Sequence, residues 1–123
     1  MRGHRVVYSI DPDAAISEGL SALFDAYGVN VEAYDCAERF LEMLDDIADD
    51  DVVVLLTEAQ LPGMNGIRLV KRLREEGRRM PIVVLTSTVN EALARRARQA
   101  GANDVIEKPM IDAFLLEGLQ ARL

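Results

Sequence analysis

Five short apolar runs, separated by stretches of helical period, constrain this chain more than any other feature of its sequence. The runs lie at 6–10, 29–34, 52–56 and 82–85, with a last one at Val105 and Ile106, and each has the length of a strand. Between them the apolar residues recur every three or four positions, as in Ile16, Leu20, Leu23, Phe24 and Tyr27. The second such set is Phe40, Leu44, Ile47 and Ala48, and the third is Gly66, Leu69, Val70 and Leu73. Strict alternation of this kind predicts an α/β domain with a parallel sheet. Each parallel connection needs a crossover of nearly invariant right hand, so helices must cover both faces. The run VVVLL is apolar without alternation, as a strand buried on both faces requires, and is placed at the centre. Punctuation agrees. Asp11 followed by Pro12 reads as a helix cap and first helical residue, Asp35-x-x-Glu38 reads as a capping box, and Gly28, Gly77 and Gly101 stand where helices should stop.

The chain has 123 residues, half of them hydrophobic, which is enough for one core without disulfides. No repeat, low-complexity stretch or linker divides it, so 1–123 is expected to be a single domain with no output domain in this chain. The lone cysteine, Cys36, excludes an intramolecular disulfide and fits a reducing compartment; it falls in the first turn of a helix with no basic partner in view. No apolar run reaches about 18 residues, and Asp11 follows MRGHRVVYSI too closely for a signal peptide. The expectation is a cytoplasmic protein with no membrane partner, and His4 is given no role.

The net charge of −7 argues against nucleic-acid binding through this domain. The charge is also uneven, with 3 basic and 14 acidic residues up to Leu61, then 11 basic and 7 acidic from Pro62 onward. Such asymmetry either steers a partner or reflects solvated helix faces. The fourth helix, expected over 89–100, is built on Ala92, Ala94, Ala97 and Ala100 with Leu93 as its one large apolar residue. Little apolar burial makes it a candidate for movement or partner contact. Arg95, Arg96 and Arg98 make its outer side basic, which a merely solvated helix would also do.

In sheets of this type ligands gather beyond the carboxyl ends of the strands, near the point where strand order reverses. That edge collects Asp11 and Asp13 after the first strand, Glu58 after the third, Thr86 after the fourth, and Lys108 with Pro109 after the fifth. Carboxylates, a hydroxyl and an ammonium together suit a cation and an anion, such as Mg²⁺ and a phosphoryl group. With the turn LPGMNG beyond Glu58 and the stretch GANDVIEKP, these residues resemble the receiver domains of bacterial response regulators across essentially the whole chain. The likeness is greatest to receivers that precede helix-turn-helix transcription regulators. It implies a flavodoxin-like (βα)5 fold with strand order 2-1-3-4-5 and a role in two-component phosphorelay signalling rather than as an enzyme. The implied partners are a histidine kinase, and a protein or second copy at the face of the fourth helix, fifth strand and fifth helix.

Residue by residue, the resemblance marks departures. The family's phosphoacceptor Asp, four residues before the Pro of the turn, is here Glu58. The first of its two metal-organising acids is Asp11, but the second position is Pro12, which leaves Asp11, Glu58 and the backbone of Gln60 as the metal set. Mg²⁺ is therefore expected to bind weakly, and the pocket to work without a resident cofactor. Thr86 and Lys108 match the family's phosphate-binding hydroxyl and amine, the bond before Pro109 is implied to be cis, and the switch-aromatic position is Val105. An added methylene displaces a carboxylate by on the order of 1 Å, and misplacement on that scale can cost about 10²-fold in a positioned reaction.

Three roles remain open at this level. In the first, a degenerate receiver, Glu58 reaches toward Lys108 and Thr86 and imitates in part a phosphorylated Asp; an ion pair that merely satisfies two buried charges is the plainer form of the same contact. In the second, an adapted pocket still accepts phosphate, with Asp13 swinging round to replace the missing acid. In the third, the chain is a small metal-dependent phosphatase, although IDPDAA lacks a nucleophile with a matched base. Asp11 could equally be a helix cap, Thr86 could cap the fourth helix, and Met64 reads as packing.

Overall fold

A computed structural model describes residues 5–88 and 90–108; His4, Pro109 and the expected fifth helix lie outside them. The strands are β1 (Val6–Ile10), β2 (Asn30–Tyr34), β3 (Val52–Glu58), β4 (Ile82–Thr86) and β5 (Asp104–Glu107). They form one parallel sheet in the order β2-β1-β3-β4-β5, the flavodoxin-like arrangement implied by the sequence. The helices are α1 (Ala14–Asp25), α2 (Ala37–Glu42), α3 (Gly66–Glu75) and α4 (Glu91–Ala100). Two apolar clusters occupy the two sheet faces. One joins Leu20 and Phe24 of α1 to Val54 and Leu56, and the other joins Phe40, Leu69, Leu73 and Ala97 to Tyr8, Leu55 and Val84. β3 is buried along all 7 residues, which explains its unbroken apolar run and puts its last residue, Glu58, at the centre of the carboxyl edge.

Several local expectations fail for identifiable reasons. Asp13, not Asp11, caps α1: its carboxylate accepts from the Ala15 N–H at 3.0 Å. Asp11 is held one step earlier because its N–H continues the β1–β2 ladder to the Tyr34 carbonyl at 3.0 Å. The Asp35–Glu38 capping box does not form. Cys36 is the N-cap of α2 without a side-chain capping bond, Asp35 pairs loosely with Arg39 on the surface, and Glu38 instead accepts from the Met64 N–H at 2.9 Å. Helix α1 ends at Asp25, so Tyr27 falls in the turn beyond it.

The second helix is shorter than its period suggests, and Leu44 and Ile47 lie in and beside two short 3-10 turns, Leu44–Asp46 and Asp49–Asp51. Acids are unfavourable at a helix C-terminus, and five of them fall between 45 and 51. Arg78 holds the replacement path. Its guanidinium donates to the Leu44 carbonyl at 3.0 Å, to the Ile47 carbonyl, and to Asp49 at 2.9 Å. Arg74 acts likewise at the same end, donating to the carbonyls of Met80, Gly101 and Arg78 and to Asn103 Oδ1. Gly101 closes α4 in the left-handed region at φ 118°, and a Cβ there would lie 2.5 Å from Arg74 Cγ.

Candidate functional site

Three strands deliver the charged cluster at the carboxyl edge. Asp11 follows β1, Glu58 ends central β3, and Lys108 follows β5, where its N–H bonds the Thr86 carbonyl at 2.9 Å. The Lys108 ammonium lies between the two carboxylates, 2.6 Å from Asp11 Oδ2 and 2.7 Å from Glu58 Oε1. The remaining oxygens are also used: Asp11 Oδ1 accepts from the Asp13 N–H at 2.9 Å, and Glu58 Oε2 from the Gln60 N–H at 3.1 Å. Burial works to lower the Lys108 pKa, but the hydrogen bonds and charges of Asp11 and Glu58 outweigh it and hold the amine above its usual range. Asp11, Glu58 and Lys108 thus form one closed ion-pair triad.

The turn beyond Glu58 is shaped around it. Asn65 caps α3 by accepting from the Arg68 N–H at 2.8 Å, and Gly66 begins the helix directly against the Glu58 backbone. A Cβ on Gly66 would meet the Glu58 carbonyl oxygen at 2.2 Å, so glycine is what allows α3 to start here. Glu38 anchors the other side of the turn through the Met64 N–H, and that bond holds its carboxyl below the usual range. No capping role was assigned to Asn65 from the sequence, although a cap residue just before a helical period is a local signal for one. The Glu38 contact, 26 positions away, had no local signal.

Not every predicted site residue joins the triad. Asp13 is exposed and turned to its cap. Thr86 is buried at the end of β4, and its hydroxyl bonds the backbone of Thr88, not Glu58. Nor does Thr86 cap α4, since Asn90 does so by accepting from the Leu93 N–H. Val105 is half-buried in β5 opposite Val84. Gln60 contributes its N–H to Glu58.

A doubly wound sheet with an acidic pair and a lysine at its carboxyl edge defines a class of small α/β domains, and comparison with known proteins gives the family. Residues 7–120 match the response regulator receiver domain. The chain is 36% identical over 122 residues to the transcriptional regulatory protein FixJ of Bradyrhizobium diazoefficiens, covering 99% of this chain and 57% of the relative. It is 31% identical over 118 residues to the response regulator protein TodT of Pseudomonas putida, covering 96% and 51%. Among solved structures, a response regulator receiver protein from Pseudoalteromonas atlantica superposes with a TM-score of 0.82 at 30% identity over 94% of each chain. FixJ-N gives 0.82 at 28% identity, over 98% of this chain and 93% of that one. This chain belongs to the response regulator receiver domain family and spans about half the length of the curated relatives it matches.

Receiver domains are signalling modules of two-component systems that interact with histidine kinases and bind Mg²⁺ at the phosphorylation site. The residues here fit Mg²⁺ poorly. Pro12 supplies no carboxylate, Asp13 is committed to α1, and Lys108 takes an oxygen from each remaining acid. Among the described residues no group of three or more His, Cys, Asp or Glu side chains could hold a metal ion. Likewise no described helix is long and apolar enough to cross a membrane.

Proposed function

We propose that this receiver domain is degenerate: it signals through protein contact, in a conformation held by the Lys108 triad, largely without phosphorylation. The observation that carries this reading is the closure of the triad, in which every oxygen of Asp11 and Glu58 already accepts a hydrogen bond. Phosphoryl transfer to a carboxylate needs an oxygen that can move in line with the donor and cations to balance the moving charge. Freeing Glu58 Oε1 breaks a charge-assisted bond worth about 1.5–3 kcal/mol, or roughly 10- to 100-fold in rate. The longer side chain and the missing acid at Pro12 add to that barrier.

In this reading Glu58 supplies part of the charge and reach of a phosphorylated aspartate, and Lys108 answers it. Thr86 stays with Thr88, and Val105 offers no aromatic ring to turn inward. The domain therefore rests in one state rather than switching between two. It acts in the cytoplasm, as one part of a transcription regulator of the kind its relatives' names describe. Its contacts with an output partner run along α4 and β5, where Arg95 and Arg98 are exposed.

Intact mass after incubation with Mg²⁺ and a small acyl phosphate tests the reading. The wild-type mass should not change, and the Pro12→Asp, Glu58→Asp double variant should gain one phosphoryl group. A wild-type gain that disappears in Glu58→Gln would establish an adapted phosphoacceptor instead. In a second measurement, Glu58→Gln should shift backbone amide resonances as far as α4 and β5; shifts confined to Lys108 and Gln60 would show that the triad does not set that face.

A further inference from the structure

Helices α2, α3 and α4 share one sheet face, since Phe40, Leu73 and Ala97 all pack into the same apolar cluster. Between α3 and α4 runs an open groove of about 780 Å³ whose apolar lining includes half-buried Leu61, Met64, Ile67 and Leu93. Its rim is cationic. Arg68, Lys71 and Arg96 are exposed, and among the described residues their side chains meet no carboxylate, whereas Arg72 is paired with Glu76 at 2.9 Å. Glu75 is the one acid in the lining. An apolar floor with unpaired cations around it fits an acidic surface that presents an exposed apolar side chain.

The same face carries such a surface. Met43, at the end of α2, is 43% exposed. Glu42, Asp45 and Asp46 surround it in sequence, all exposed, and their side chains meet no cation among the described residues. Uncompensated like charges repel, and an approaching basic rim would relieve that repulsion. The two surfaces lie on one layer of the molecule, as an isologous contact, in which each patch meets the other patch of a second copy, requires.

We propose that two copies of this chain associate through that face, each seating Met43 in the α3–α4 groove of the other. Glu42, Asp45 and Asp46 then oppose Arg68, Lys71 and Arg96, twice per dimer. The contact involves neither the triad nor phosphate, and so stands apart from the function proposed above. Its small apolar anchor places it among weak, reversible interfaces.

Charge reversal tests it more cleanly than salt, because each copy also carries net negative charge that salt screens. Sedimentation equilibrium at protein concentrations up to about 1 mM, the regime of weak complexes, should show a concentration-dependent dimer. Arg68→Glu with Arg96→Glu, and separately Asp45→Lys with Asp46→Lys, should each weaken self-association at least about 10-fold while leaving the thermal melt followed by circular dichroism intact. Mixing the two double variants should restore a one-to-one heterodimer, since one of its two contacts is then native and the other pairs mainly opposite charges, with only Lys71 and Glu42 left unchanged. A wild type that stays monomeric throughout, a dimer that survives both reversals, or a mixture that does not associate would each overturn the proposal.

Discussion

Lys108 is 16% exposed at its side chain, while the carboxylates it holds are 2% and 9% exposed, so removing its ammonium leaves two buried anions facing one another. Lys108→Met is expected to cost about 3–5 kcal/mol, the range for breaking a buried ion pair from one side. Combining it with Glu58→Gln should cost clearly less than the two changes added separately, because the neutral amide no longer needs the amine. Urea unfolding of the four proteins in this cycle measures the coupling, and simple additivity would deny that the residues act as a unit. A second residue-scale effect concerns Tyr8, which stacks on Tyr34 at 6.3 Å and packs edge-on against Phe40 at 5.5 Å. Burial, aided by Glu32, raises its phenol from 10.0 to about 12. A group raised in the folded state contributes its stability in full below the unfolded value and loses it as pH rises through the folded one. Stability should therefore fall by roughly 2–3 kcal/mol between pH 10 and 12 on account of Tyr8. The raised Lys108 adds a loss of the same sign above its ordinary range. Tyr8→Phe keeps the ring and should flatten that alkaline decline; an unchanged slope would mean that Tyr8 does not cause it.

At the level of elements, glycine decides where α3 begins. Alanine is normally better than glycine inside a helix by about 1 kcal/mol, yet the Cβ of Gly66→Ala would enter the Glu58 carbonyl. We expect the variant to be destabilised by about 1–3 kcal/mol, as in overpacked cores, with perturbed amide resonances at Glu58 and Gln60. A stabilised variant would show that the helix start is free to move. Elements with strong period were legible in the sequence: all five strands and the alternation came from apolar runs, and α3 from Leu69, Val70 and Leu73. What escaped was set by contacts distant in sequence. α2 stops early because Arg78, some 30 positions on, can take its trailing carbonyls, and Glu38 leaves its expected capping partner for the Met64 N–H. Neither choice is written in the local pattern, where Leu44 and Ile47 continue the helical spacing.

For the molecule as a whole, the sheet order followed from the family resemblance, and the position of the site followed from the rule that ligands meet the carboxyl edge. That rule, with the family resemblance, put Asp11, Glu58 and Lys108 at one edge. Neither revealed that Thr86 would turn to Thr88 or that Asp13 would be spent on α1, since a hydroxyl or carboxylate near a helix start always has a local alternative. The bond from Lys108 to Asp11 joins residues 97 positions apart. During synthesis the two acids are made long before their counter-ion, so a nascent chain that has completed β3 holds a pair of carboxylates with nothing between them. The residue that follows β5 thus arrives as the neutralising piece, and the carboxylates after β1 and at the end of β3 are electrostatically matched only once β5 has docked beside β4.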